Sequence, residues 1–108
     1  MSQTVLDNPT NLEEAINYHE GSVVSREIFK NNNGSATLFA FDKNQGLSAH
    51  KTPYEALVYV LDGEIKITID NKENKLKRGD MIHMPANVTH ALKSEKQFKM
   101  LLIMIKSA

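Results

Sequence analysis

The chain contains no cysteine and no tryptophan, and only three prolines and five glycines in 108 residues. Without cysteine there is no disulfide, no thiolate metal site and no cysteine nucleophile. An excess of one charge is missing too. Lys plus Arg number 13 and Asp plus Glu number 13. This balance removes the electrostatic reason to expect nucleic acid or an anionic membrane as a partner. Long hydrophobic runs are also lacking. The longest, ALVYVL at 56–61 and LLIMI at 101–105, fall far short of the ~20 residues that span a bilayer. The opening stretch MSQTVLDNPT lacks a basic segment followed by an apolar one, so no secretory signal is read there. A soluble, cytoplasmic protein is the resulting expectation.

What is present is ordinary globular composition, with 41% hydrophobic and 24% charged residues. The length suits one domain over residues 1–108. A chain of this size buries roughly two-thirds of the surface that its unfolded form exposes. Near the start, Thr10 and Glu13 fit a capping box, and Leu12, Ala15 and Ile16 form an apolar stripe. This pattern predicts one short N-terminal helix.

Beyond residue 17 the pattern is strands and turns. Strands are predicted over 22–29, 36–41, 47–50, 56–61, 64–69, 75–77, 81–84, 90–93 and 98–106. Turn residues separate them: NNNG at 31–34, DKNQG at 42–46, Asp62-Gly63 and Arg78-Gly79-Asp80. Ile65, Ile67 and Ile69 alternate with Glu64, Lys66 and Thr68, which describes a strand with one wet face. About nine short strands with regularly spaced turns favour an all-β sandwich or barrel. The last strand is apolar on both faces and must be covered on both. In so small a protein the second cover is expected to be another subunit, hence a homodimer.

Chemistry rests with the histidines at 19, 50, 83 and 90. Neutral imidazole ligates many first-row metals. His50 closes a strand before the KTP corner, and His83 and His90 bracket the turn MPANVT. A side-chain period of two puts Met81 and His83 on one strand face.

The segments HKTPYEALVYVLDGE (50–64) and GDMIHMPANVTHALKS (79–94) resemble the two short motifs of the cupin superfamily. His50 and Gly63 match the first motif; Gly79, Pro85 and His90 match the second. Asn87 stands where the family has Gly, and Asn tolerates positive φ better than most residues. Ser94 replaces a final Asn. The resemblance covers about residues 35–105. It implies a jelly-roll barrel, or double-stranded β-helix, holding a divalent first-row transition metal. It also implies dioxygenase, decarboxylase or isomerase chemistry on small organic acids or sugars.

The departures are as informative as the matches. Thr52 occupies the place of the family's second histidine, and Ala56 that of its carboxylate ligand. Glu55 falls one residue early and would point away from the face of His50, unless a bulge near Pro53 turned it inward. By the family's geometry His83 would look into the barrel and replace the missing histidine, giving a site of His50, His83 and His90. Thr52, Ala56, Val58, Met81 and Met100 would line the pocket. Plainer readings stand beside these. His90 would cap a turn, His50 would plug the barrel mouth, His83 would face outward, and Thr52 would be a corner residue. Two functions follow: a metal-dependent enzyme acting on a small molecule, or a non-catalytic barrel that binds a small ligand.

Overall fold

A computed structural model describes residues 5–107. Among the described residues nine strands follow one another: β1 Val23–Asn31, β2 Gly34–Phe41, β3 Gly46–His50, β4 Tyr54–Asp62, β5 Glu64–Ile69, β6 Lys72–Lys77, β7 Met81–Met84, β8 His90–Lys93 and β9 Phe98–Lys106. They form two antiparallel sheets, one ordered β1-β2-β9-β4-β7 and the other β3-β8-β5-β6. Turn chemistry sets the reversals. Gly63 and Gly79 adopt φ of 77° and 93°, and a Cβ on Gly63 would collide with the Gln97 carbonyl.

The sheets face each other across one apolar core. Phe41, Ala56, Val58, Val60, Met84, Phe98 and Met100 come from the five-stranded sheet, and Ile65, Ile67, Leu76 and Leu92 from the four-stranded one. The rings of Phe41 and Phe98 stack with centroids 4.3 Å apart. Burying each such side chain stabilises the fold by about 1.5–3 kcal/mol before ordering costs. Glu64, Lys66 and Thr68 alternate with these isoleucines and are not buried, as their period requires.

A second, smaller cluster lies on the outer side of the five-stranded sheet. Leu38 and Ala40, which alternate with Thr37, Phe39 and Phe41, pack there with Ile28 and Ile16. Leu12, Ala15 and Tyr18 complete the cover. Polar straps hold this segment down. The Tyr18 hydroxyl donates to Asp62 (2.6 Å), and Arg26 donates to the Ala15 carbonyl (2.7 Å).

The expected N-terminal helix does not form. A 3-10 turn at Val5–Asp7 and hydrogen-bonded turns over 12–15 take its place. Asn11, not Thr10, supplies the side-chain acceptor, receiving the Glu14 N–H at 3.1 Å; Ala15 N–H then bonds the Leu12 carbonyl. The apolar stripe finds its burial without a helix, because so short a segment does not offset the cost of helix nucleation. Among the described residues no helix is long and apolar enough to cross a membrane.

Candidate functional site

His50 ends β3 and His90 begins β8, and the two residues are direct partners in the antiparallel ladder. Their rings meet edge to face with centroids 4.4 Å apart. A bulge makes this pairing. Leu47 faces Leu92, and a regular ladder from there would set Ala49 opposite His90; one extra residue in β3 brings His50 there instead. Each ring is anchored in the same way. His50 Nδ1 donates to the Ser48 carbonyl at 2.7 Å, and His90 Nδ1 donates to the Val88 carbonyl at 3.2 Å. A carbonyl only accepts, so both protons sit on Nδ1 when the imidazoles are neutral. Both Nε2 lone pairs are then left for something else, and among the described residues neither has a hydrogen-bond partner.

His90 is buried at 4% exposure, whereas His50 opens to solvent. Burial holds the pKa of His90 below its ordinary value. The Val88 hydrogen bond opposes that shift, and the charge His50 can carry adds to it. A neutral imidazole with its Nδ1–H bonded to a carbonyl is the form a metal binds.

The loop after β7 and the corner after β3 close this end of the barrel. Asn87 takes φ of 62°, the left-handed conformation for which Asn substitutes for Gly, and its N–H bonds the Thr52 carbonyl at 2.7 Å. Thr52 is a corner residue, its hydroxyl accepting from the Tyr54 N–H at 3.3 Å. Ser94, at the place of the family's last Asn, is buried and donates to the Glu64 carbonyl.

His83 does not join the other two. In the β4–β7 ladder it lies opposite Leu57, on the outer side, while Met84 opposite Ala56 turns inward. Glu55 shares that outer side. No bulge turns it in, and its Oε1 lies 2.6 Å from His83 Nε2 and accepts the Ala86 N–H at 3.2 Å. These bonds, the one from His83 foremost, hold the Glu55 pKa below its usual value. Among the described residues no group of three His, Cys, Asp or Glu side chains could hold a metal. The expected trio of imidazoles is therefore corrected to a pair. The physical reason is that Ile82 and Met84 fill the core from β7 and leave Met81 and His83 to solvent.

The expected pocket lining divides in the same way. Ala56, Val58 and Met100 face inward but are sealed in the core at 1%, 0% and 1% exposure. Met81 is 52% exposed on the outer side, which removes it from any interior lining. His19 is exposed and apart from both motifs. Met104 also faces inward, opposite Ala56 on β9.

The donor set fits a metal in part. Two imidazole nitrogens are ready, but the two other positions that the family uses carry Thr52 and Ala56.

The comparisons agree with this fold. The cupin domain model matches residues 37–106. A Streptococcus pyogenes protein of unknown function, SPY1581, is 30% identical and superposes with a TM-score of 0.90, over 100% of this chain and 97% of that one. A cupin superfamily protein from Desulfitobacterium hafniense is 28% identical with a TM-score of 0.88, over 94% and 93% of the two chains. A cupin 2 conserved barrel domain protein from Leptotrichia buccalis is 42% identical with a TM-score of 0.86; the match covers 90% of this chain but 47% of that protein. No curated protein matches. With the family model spanning well over half of its length, the two motifs in order and the jelly-roll sheets in place, this chain belongs to the cupin family.

Proposed function

We propose that this small cupin holds a first-row transition metal through His50 and His90 at one end of its barrel and offers it to a small organic acid or sugar-like molecule. One observation carries the reading: both Nδ1–H groups are tied to backbone carbonyls, so the Nε2 atoms of two neighbouring rings are left without a hydrogen-bond partner among the described residues. A metal there would supply Lewis acidity, and its remaining positions would accept oxygen donors of a small molecule. The chain's own contribution is to hold two nitrogens whose rings are fixed by their Nδ1 hydrogen bonds. The bulge in β3 and the Asn87–Thr52 hydrogen bond keep them together.

Elemental analysis of purified, untagged protein tests this. Metal is expected at one equivalent, lost in His50→Ala and in His90→Ala and retained in His83→Ala. Metal-free wild-type protein after incubation with each first-row ion would overturn the reading.

A second reading, binding without catalysis, is favoured by a specific feature. The inward positions of β4 include Ala56 and Val58, and the nearest carboxylate in sequence, Glu55, faces out. No general base is then supplied from that strand. Loaded protein incubated with pyruvate, oxalate or glucose separates the readings. Product formation supports catalysis, and ligand-dependent thermal stabilisation with unchanged ligand supports binding alone.

We also propose that the uncovered part of the outer sheet face is closed by a second copy of this chain. Ile103, Leu57 and Ala36 lie side by side there, with Phe29, Ile105 and Met81 exposed at 45%, 47% and 52%. Light scattering is expected to show a dimer for the wild type and a monomer for Ile105→Lys; a monomeric wild type at micromolar concentration would reject it.

A further inference from the structure

The metal reading leaves one question open: what fills the place of the missing carboxylate. The topology supplies candidates. His50 is the last residue of β3 and Met84 the last of β7; His90 is the first of β8, and Ala56 is the third residue of β4. The loop 85–89 and the corner 51–53, joined by the Asn87–Thr52 hydrogen bond, connect these ends, so all four residues lie at the same end of the barrel.

On the inner face at that end, Ala56 sits between two ladder partners. Met84 is opposite it on β7, and Met104 is opposite it on β9. Each carries a thioether on a long, flexible stem. Met84 is buried at 3% exposure and Met104 is half-buried. The positions that alternate onto the same face beside Met104 and Ala56 are Ser35, Leu102, Val58, Tyr54 and Lys106, so this part of the five-stranded sheet presents no carboxylate. The position that would carry a hard oxygen ligand is thus held by buried Ala56, with a methionine opposite it on either side.

Ligand softness then discriminates between metals. Oxygen-rich sites suit Mg, Ca and Mn; imidazole suits Zn, Cu, Fe and Ni; thioether sulfur selects Cu(I). We propose that His50, His90, Met84 and Met104 form a two-imidazole, two-thioether site whose preferred ion is Cu(I). This rests on the metal reading above and names the ion for it. Four neutral ligands suit a singly charged ion, since the site then buries one charge rather than two.

The test is anaerobic titration of untagged, metal-free protein with Cu(I) in competition with a chromophoric Cu(I) chelator, alongside separate titrations with Zn(II) and Mn(II). X-ray absorption on the copper-loaded protein reports sulfur scatterers directly. Met84→Leu and Met104→Leu nearly preserve side-chain volume and leave the fold intact. Each removes a direct ligand, so each should weaken Cu(I) binding by more than the roughly 10–100-fold that loss of an outer partner costs. Zn(II) binding through the imidazoles should change little, and Met81→Leu, on the outer side, should change nothing.

Cu(I) affinity unmoved by both methionine variants, or copper spectra without sulfur, would overturn the soft site while leaving a histidine-held metal standing. Tighter binding of Zn(II) or Mn(II) than of Cu(I) would do the same. Absence of binding by all three ions would bring down the metal reading itself.

Discussion

His83 and His90 stand seven residues apart and live in opposite surroundings. His90 is enclosed at the barrel end, paired edge to face with His50, its tautomer set by the Val88 carbonyl in the loop before β8. His83 is on the outer wall, exposed, and tied to a carboxylate that is itself in contact with water. Both imidazoles make a hydrogen bond, so hydrogen bonding does not separate them. Burial and the identity of the partner do. A backbone carbonyl on Nδ1 leaves Nε2 of His90 free, and burial disfavours its charged form, whereas the carboxylate of Glu55 occupies Nε2 of His83. One arrangement leaves a ring nitrogen without a partner and the other occupies it.

The inner and outer walls should differ most in their response to truncation. Phe98→Ala, at 0% exposure and stacked on Phe41, is expected to cost about 3–5 kcal/mol in urea unfolding. Leu38→Ala sharpens the contrast, because Leu38 points outward yet is 0% exposed beneath the N-terminal segment. Its expected cost is about 2–5 kcal/mol, and a cost near zero would show that the segment does not seal that face. Asn87→Val forces a β-branched residue into positive φ between the two histidine-bearing strands and should cost about 1–2 kcal/mol. Asn87→Gly should cost less, and equal losses for both would mean that backbone conformation is not the issue. At the small end, Met81→Ala should fall within about 0.5 kcal/mol of the wild type.

The outer pair makes a prediction in pH. The folded-state pKa of Glu55 is depressed, so its contribution is present above the unfolded carboxylate value and fades as pH falls through the folded one. The acid limb of the stability profile should therefore shift slightly between wild type and Glu55→Gln, with the two curves parallel above pH about 6. Because the pair is exposed, the difference should shrink further in high salt. A difference that persists at neutral pH and high salt would mean that Glu55 does more than pair with His83.

Much of the fold was legible in the residues. Turns written in Asn, Asp and Gly marked the strand boundaries, and the positions of all nine strands follow from them. β4 extends only from Tyr54 to Asp62 around the expected Ala56–Leu61 core, and β6 begins three residues before the expected Lys75. The helix over Thr10–Ile16 was misread because an apolar stripe predicts burial, and a turn buries Leu12, Ala15 and Ile16 as well as a helix does. At the site, His50 and His90 were found by motif spacing. The bulge in β3 was not, since the residues near it, Ser48 and Ala49, carry no turn chemistry that announces an extra residue.

Local sequence determined where the strands run, where they reverse and which side chains share a face, because a period of two and the demands of positive φ are properties of the chain itself. It did not determine which face of β7 is inside. Ile82 with Met84 and Met81 with His83 both alternate correctly, and only packing of β7 beside β4, over the opposite sheet, chose the first pair. The meeting of His50 with His90 was likewise decided by register between strands that lie far apart in sequence, and register exists only once the sheet does.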